Sequence, residues 1–235
     1  DVTWPAAETI EFGKWRLRIS DGFTMRANSV LPTGAAPIGE PAAPLIEAVD
    51  QVKKIYSEKN LTPTFTIPLP LYQELDEYLE SQGWPIKVGA QFLIKDIGIE
   101  ALDVNSEYIF EVSDKPSTDW LNLQSDHRLE NLMNRYPARY GLIKSGEKII
   151  AVGRIATLGT WSIATRLFVD PTQRGKGVAK YLMNKLIEVA KTDGATKVGL
   201  QVDIENAAAL ALYRSMGFRE HHSYRYRVMP ILENK

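Results

Sequence analysis

The sequence contains no cysteine, and this absence excludes disulfide bonds, thiolate metal ligands and a cysteine nucleophile. It also contains no run of about 18 apolar residues that could span a bilayer, and its first residues lack the basic and apolar regions of a signal peptide. We therefore predict a cytoplasmic protein without a membrane partner. Since the chain starts at Asp1 rather than at a methionine, we also expect further sequence upstream.

Net charge is nearly absent as well, because 28 basic residues balance 29 acidic ones and leave a formal charge of −1. Such a chain has no overall field that attracts polyanions, so we predict no nucleic-acid partner. Of the 235 residues, 44% are hydrophobic, which is enough for proper cores. The length favours two domains of about 100 to 150 residues each.

The first half alternates strand-like and helical segments. Residues 15–30 predict a hairpin that turns at Asp21 and Gly22. After a loop broken by proline and glycine at residues 31–43, helices are predicted near 45–56 and 72–82, and strands near 62–67 and 91–95.

The second half repeats this order. Strands are predicted at residues 151–156, 162–169 and 197–202, with a helix along Val178, Leu182, Leu186 and Val189 and another from Asn206 to Gly217. Q-G-W at 82–84 matches M-G-F at 216–218, each at the end of a helix. We therefore predict an α/β chain made of two copies of one fold, with domains 1–98 and 99–235, against the alternative of a chance similarity.

The chemistry is predicted in the second copy, at V-D-P-T-Q-R-G-K-G-V-A over residues 169–179. Gly175 and Gly177 can adopt backbone angles that other residues avoid, so successive N–H groups can converge on an anion. The following helix begins near Val178 and directs its positive end to the same point, where Arg174 and Lys176 add charge. The loop predicts a pyrophosphate site, and a tight connection without a ligand is the alternative.

Two common phosphate loops are excluded, because the sequence has no G-K followed by Ser or Thr and no G-x-G-x-x-G. About thirty residues downstream stands N-A-A-A-L-A-L-Y-R-S-M-G-F, at residues 206–218. Together, R-x-x-G-x-A at 174–179 and N-x-x-A-x-x-L-Y-x-x-x-G-F resemble the motifs of the GNAT superfamily of N-acetyltransferases. The resemblance covers residues 139–228 well, and the first half lacks both motifs.

The resemblance implies a mixed, mainly antiparallel sheet flanked by helices, present here as two tandem copies. In the family the fourth and fifth strands, here 162–169 and 197–203, splay apart and admit acetyl-CoA as co-substrate. It also implies that a backbone N–H on the fourth strand polarises the thioester carbonyl. The implied coenzyme-binding residues are Leu167, Phe168, Val169, Arg174, Gly175, Lys176, Gly177, Val178, Ala179, Asn206, Ala209 and Tyr213.

Tyr213 is the implied general acid, because the family tyrosine at this position protonates the departing coenzyme thiolate. A phenol with a pKa near 10 is protonated at neutral pH and close enough to a thiol near 8.5 for proton transfer. Packing of the Tyr213 ring against Leu210 and Phe218 is the alternative role. Asn206 likewise has two roles open to it, as helix N-cap and as a contact of the pantetheine arm.

No general base is assigned, because strand 162–169 carries no glutamate, the residue that often serves as base in this superfamily. The remaining candidates are Asp203, Glu205, His221 and His222, each more readily explained as a solvated or capping residue. On a strand the two adjacent histidines are expected to point to opposite faces, so we predict no metal site.

Residues 118–136 are predicted to form one or two helices, and the amine acceptor is predicted to enter between them and the last strand, 223–228. Asp119, Asp126 and Glu130 could attract a cationic amine, although a solvated helix face explains them too. The acceptor stays open among a polyamine, an amino acid derivative, an antibiotic and a protein amine, and a homodimer is one open assembly state. The first half, with prolines where the loop belongs, is predicted to be a degenerate copy that shapes structure or the acceptor site, and retained catalysis in this half is the alternative.

Three functions remain on the sequence alone. The leading hypothesis is an acetyl-CoA-dependent N-acetyltransferase. The second is an acyl-CoA sensor without turnover, which the missing strand glutamate favours. The third is an acyltransferase that uses an alcohol acceptor or a longer acyl group.

Overall fold

The computed structural model describes residues 2–98, 108–124 and 129–230. For residue 129 it describes the backbone alone. The described helices and strands follow in this order: β1 (Glu8–Phe12), β2 (Trp15–Ile19), β3 (Val30–Leu31), α1 (Leu45–Glu58), β4 (Thr64–Leu69), α2 (Gln73–Ser81), β5 (Ile86–Asp96), β6 (Ile109–Ser113), α3 (Thr118–Gln124), α4 (Leu129–Met133), β7 (Arg139–Ser145), β8 (Lys148–Leu158), β9 (Trp161–Val169), α5 (Val178–Thr192), β10 (Lys197–Asp203), α6 (Ala207–Ser215) and β11 (Arg219–Val228). Two short 3-10 helices, Met25–Ala27 and Pro171–Gln173, stand before β3 and α5.

The chain forms two compact units. The N-terminal unit comprises residues 6–92, 203–205 and 221–230, and the C-terminal unit comprises the other described residues. Each unit thus takes one segment from the far end of the chain. The domain boundary between residues 98 and 99 stays a prediction.

In the N-terminal unit, β1, β2 and β3 pair antiparallel, and β3 pairs parallel with β4 at Val30 and Phe65. Helix α1 packs on this sheet through a stripe of buried residues at helical spacing, Ala48, Val49, Val52 and Tyr56. Trp15, Phe65 and Trp84 form the aromatic centre of this core, with ring centroids 5.3 and 5.7 Å apart in edge-on contacts. Burial of each such ring stabilises the fold by about 1.5–3 kcal/mol.

The last strand of the chain belongs to the N-terminal unit. β11 pairs antiparallel with β4, from Ser223 opposite Leu69 to Val228 opposite Thr64. The buried Arg227 side chain holds it there, because Nε and Nη2 lie 2.8 and 3.1 Å from the two carboxylate oxygens of Asp76 on α2. This geometry is bidentate, the strongest form of such a pair.

In the C-terminal unit, β6, β7, β8 and β9 pair antiparallel in chain order, and β10 pairs parallel with β9. The predicted helix after the glycine loop is confirmed as α5, which buries Val178, Leu182 and Leu186 in the core of this unit. The end of β5 contributes Leu93 to the same core.

Both units contain the same succession of a strand, a loop, a helix and a parallel strand. It is β3, α1 and β4 in the first half and β9, α5 and β10 in the second, each preceded by two antiparallel strands. The predicted mixed α/β fold with two tandem copies is therefore confirmed.

The hairpin predicted around Asp21 and Gly22 is confirmed in part. β2 pairs antiparallel with β3, and Asp21 and Gly22 both have positive φ in a turn, but the second strand is much shorter than predicted. A tighter hairpin that turns between Phe12 and Trp15 joins β1 to β2. After β2, the Asn28 Oδ1 atom accepts from the N–H groups of Ser20 and Gly22 at 2.6 and 2.9 Å. This side chain takes the place of a ladder partner, so only Val30–Leu31 remains as strand.

Among the described residues, no helix is both long and apolar enough to cross a bilayer.

Candidate functional site

A capped 3-10 helix connects the end of β9 to the glycine loop. Asp170 caps the 3-10 helix Pro171–Gln173, with its Oδ1 accepting from the Thr172 N–H at 2.9 Å. Lys148 Nζ lies 2.7 Å from Asp170 Oδ2. The bonds from Lys148 and then from Thr172 hold the pKa of Asp170 well below its usual range, so this cap stays ionised.

Both glycines of the loop have the left-handed backbone that their sequence pattern predicts, with φ of 76° at Gly175 and 81° at Gly177. A Cβ at either position would meet no protein atom within 4 Å. The space beside these two residues is therefore open, and the left-handed backbone, rather than crowding, is what requires glycine.

The backbone N–H groups around the loop lack protein acceptors. In the described chain, none of the N–H groups of residues 175–180 donates to a protein acceptor, and Gly177, the N-cap residue of α5, has no side chain to cap the helix. Unpaired N–H groups at a helix start carry the positive end of the helix dipole. The arrangement suits an anion with several oxygen atoms.

The two charged side chains of the loop, Arg174 and Lys176, are exposed. Arg174 Nε donates to the Val169 carbonyl oxygen at 3.4 Å, and Lys176 Nζ donates to Gln173 Oε1 at 3.1 Å. Val178 is buried in the core and Ala179 half-buried, so these two residues offer their backbone rather than their side chains.

Strands β9 and β10 separate next to this loop. Their parallel pairing runs from Trp161 opposite Lys197 to Ala164 opposite Leu200, and no paired positions follow on the described strands. The three predicted strand residues, Leu167, Phe168 and Val169, lie beyond this point and are half-buried. The splayed strand pair that the resemblance implies is therefore present in the backbone.

A β-bulge lies in the separated part of β9. Val152 pairs with Phe168 and Arg154 with Thr165, so two residues of β9, Arg166 and Leu167, stand opposite Gly153. Arg166 has a φ of 57°, which is uncommon for a residue with a side chain. Sequence analysis missed this bulge, because nothing in the period-two pattern of β9 marks it.

Tyr213 lies on α6 and is only 8% exposed. Its ring meets Phe218 in an edge-on contact with centroids 5.7 Å apart, so the packing role is real. No described residue is recorded as a hydrogen-bond partner of its hydroxyl, and burial raises the pKa of Tyr213 to about 12. The phenol therefore holds its proton throughout the neutral range.

Asn206 caps α6, because its Oδ1 accepts from the N–H of Ala209 at 3.0 Å. The capping role that the sequence left open is thus present. Asn206 is exposed and Ala209 half-buried.

The candidate bases all lie in the N-terminal unit, in segments 203–205 and 221–230. Asp203 Oδ1 accepts from the N–H of Glu205 at 2.9 Å, a turn-capping role. The expectation that the two histidines point to opposite faces is wrong, because His221 Nδ1 and His222 Nδ1 are 2.9 Å apart. β11 pairs with β4 from Ser223 to Val228, so the two histidines lie outside that ladder.

On the predicted acceptor side, helices α3 and α4 form as expected from residues 118–136. Asp119 and Glu130 are exposed, as on a solvated helix face, and Asp126 lies outside the described residues. Two side chains in this region were not predicted to matter. They are Gln124, which contacts Arg166, and Trp120, which is buried.

The loop at the equivalent place in the first half makes internal hydrogen bonds. The N–H groups of Gly39 and Glu40 donate to the carbonyls of Ala35 and Thr33 at 2.9 and 3.0 Å. A Cβ at Gly34 would clash with the Glu40 side chain, so the space beside this glycine is occupied. In both respects the loop differs from residues 175–180.

Comparison with known proteins gives a match over nearly the whole chain. A family model described as "Probable histone acetyltransferase Rv0428c C-terminal" matches residues 2–227. The chain is 28% identical over 242 residues to an uncharacterized N-acetyltransferase, YobR, from Bacillus subtilis. This match covers 97% of this chain and 94% of that protein.

Solved structures show the same fold. A GCN5-related N-acetyltransferase from Kribbella flavida matches with a TM-score of 0.76 at 12% identity, over 96% of this chain and 90% of that one. A tandem GNAT protein from the clavulanic acid biosynthesis pathway matches with a TM-score of 0.62 at 11% identity, over 75% of this chain and 66% of that one. At these identities the structural similarity concerns the fold alone.

Proposed function

Because the chain belongs to the GNAT superfamily of N-acetyltransferases, we propose that it transfers an acetyl group from acetyl-CoA to an amine acceptor by direct attack. Acetyl-CoA supplies an activated acyl group as a thioester. The amine nitrogen forms a bond to the acetyl carbon, the carbon–sulfur bond breaks, and one amine proton is replaced by the acyl group. The sulfur leaves as a thiol.

The loop at residues 174–179 is the observation that carries this proposal. Its two left-handed glycines leave open space, and the N–H groups of residues 175–180 donate to no acceptor in the described chain. A diphosphate fits these donors, and the exposed Arg174 and Lys176 add charge that favours it. We assign the coenzyme diphosphate to this loop.

The separated strands supply the second part of the proposed site. Beyond Ala164, the backbone of β9 no longer pairs with β10, so its edge is available to the amide groups of a pantetheine arm. Leu167, Phe168 and Val169 would hold that arm through their backbone groups. Asn206 and Ala209, at the start of α6, complete the proposed coenzyme-binding set.

Tyr213 is the residue we assign as proton donor to the leaving sulfur. Its raised pKa keeps the phenol protonated at the pH of the reaction, and its hydroxyl has no recorded partner among the described residues to compete for that proton. The amine must in turn lose protons to reach its neutral, attacking form and to complete the new amide. Because β9 carries no carboxylate or imidazole, we assign that step to solvent rather than to a strand residue.

The proposal is tested by following thiol release from acetyl-CoA with a thiol reagent across a panel of amines. Since the chain contains no cysteine, the protein itself gives no background in this assay. The panel should include polyamines, amino acid derivatives, aminoglycosides and peptides with free N-termini or lysines. Thiol release that depends on one acceptor class, with the acetylated product identified by mass spectrometry, is the expected result.

A sensor of acyl-CoA without turnover is the second candidate, favoured by the absence of a glutamate on β9. It predicts that acetyl-CoA raises the melting temperature while no amine increases thiol release above background. Thiol release without any added amine would contradict both candidates and indicate thioester hydrolysis.

A further inference from the structure

The bulge in β9 is held by one side chain from another element. Gln124, the last residue of α3, donates from Nε2 to the carbonyl oxygen of Arg166 at 2.8 Å. Its Oε1 accepts from Arg166 Nε at 3.0 Å. One amide therefore fixes both the backbone and the side chain of the residue with the left-handed φ.

Helix α3 is itself held in place by a buried side chain, and this fixes the point from which the Gln124 side chain extends. Trp120 is 1% exposed, and its indole Nε1 donates to the Gly141 carbonyl on β7 at 3.0 Å. Trp120 and Gln124 are four residues apart and share one face of the helix. The face that packs Trp120 into the unit thus also presents Gln124 to β9.

The direction of one peptide group follows from this contact. The bond between Arg166 and Leu167 is a planar trans peptide, in which the C=O and the N–H point in opposite directions. With the Arg166 carbonyl fixed toward Gln124, the N–H of Leu167 points away from α3. A left-handed Arg is intrinsically unfavourable, so this orientation requires an external hold.

We propose that Gln124 is a positioning residue that sets the direction of the Leu167 N–H for the thioester carbonyl. This inference rests on the proposed function, because it assumes that acetyl-CoA lies along the separated part of β9. Donors aimed in advance at a developing negative charge lower the reaction barrier, and their misalignment costs rate rather than binding.

Two substitutions separate the halves of the contact. Gln124→Glu keeps an oxygen that accepts from Arg166 Nε but removes the N–H donor to the Arg166 carbonyl. Gln124→Leu removes both. Gln51→Leu is the matched control, because Gln51 is an exposed helical glutamine on α1 that undergoes the same change of side chain.

The measurements are kcat, the KM for acetyl-CoA, the melting temperature and the infrared carbonyl band of bound 13C-labelled acetyl-CoA. In the wild-type protein the band should move to lower frequency than in water. Both Gln124 variants should lose most of that shift and at least about tenfold in kcat, with KM changed by less than about twofold. Gln51→Leu should match the wild-type protein.

The spectroscopic readout needs no acceptor, so it separates this inference from the proposed function. A wild-type band shift that Gln124→Leu abolishes, without turnover of any amine, would refute acetyl transfer and support the positioning role. A shift and a kcat that both survive in the two variants would overturn the positioning role. So would a KM that rises in step with a fall in melting temperature, since that pattern describes structural support alone.

Discussion

Gly177→Glu should abolish coenzyme binding while Gly159→Glu should not. Both glycines have a left-handed backbone, with φ of 81° and 57°, and neither has a protein atom within 4 Å of its Cβ position. Gly159 lies before β9 and Gly177 after it, so nine strand residues at about 3.3 Å each separate them by roughly 30 Å. The two variants thus share the same strain and charge but differ in distance from the proposed diphosphate site.

The expected effects can be worked out for each variant. A side chain at positive φ costs about 1–2 kcal/mol of folding stability, which for a chain of this size lowers the melting temperature by roughly 2–8 °C in both variants. A carboxylate about 4 Å from a phosphate charge adds repulsion of about 1–4 kcal/mol. Two such charges and the added bulk should weaken binding by at least about 100-fold.

Thermal denaturation with acetyl-CoA and with coenzyme A tests this expectation. At 100 times the wild-type dissociation constant, the ligand adds about 2.7 kcal/mol of stability, and a 100-fold loss of affinity reduces this to about 0.4 kcal/mol. Gly159→Glu should keep the full ligand-dependent rise. If Gly177→Glu kept it too, the diphosphate would not bind at this loop, and the assignment of residues 174–179 would be refuted.

Three further predictions follow from single contacts. Tyr213→Phe should lower kcat by about 10²-fold or more with the ligand-dependent rise in melting temperature unchanged, which steady-state kinetics and thermal denaturation check together. Arg227→Met should cost about 3 kcal/mol in urea denaturation, because it leaves the buried Asp76 carboxylate with only the longer 3.3 Å contact to Arg225. Burial and then the neighbouring His221 lower the pKa of His222, so the neutral form is favoured in the folded state and stability falls as pH drops through and below 6.5. His222→Gln should reduce that loss in melting temperatures measured from pH 7 to pH 5.

The sequence alone predicted those features of the fold and of the candidate site that a local pattern of residues determines. Apolar residues at helical spacing predicted α5, and its buried face contains Val178, Leu182 and Leu186. Paired glycines before a helix predicted the left-handed backbone at residues 175 and 177. Asn before a helix predicted the cap at Asn206.

Edge strands were missed because their environment leaves little trace in the sequence. Among the described strands of its own unit, β1 pairs only with β2 and β6 pairs only with β7, so each pairs on one side only. Their residues are largely exposed, including Ile109 and Val112 on β6. Without a buried face there is no strict alternation to read.

Pairing partners and local geometry were beyond the sequence for a different reason. The sequence predicted a strand at residues 223–228, but the partner of β11 depends on contacts such as Arg227 with Asp76, 151 positions apart in the chain. The bulge at Arg166 likewise depends on Gln124, a residue 42 positions away. A single sequence holds no local signal for such contacts.

The two loops at equivalent places explain why one half carries the proposed chemistry. In the loop at residues 31–44, the N–H groups of Gly39 and Glu40 donate to carbonyls of the same loop, and the four prolines have no N–H group at all. Fewer N–H groups of this loop can therefore converge on one anion. In the described chain the N–H groups of residues 175–180 have no protein acceptor, so an anion can accept from them. Prolines and internal hydrogen bonds in place of a glycine loop thus reduce the number of donors for a phosphate, and the first half can keep the fold without keeping the chemistry.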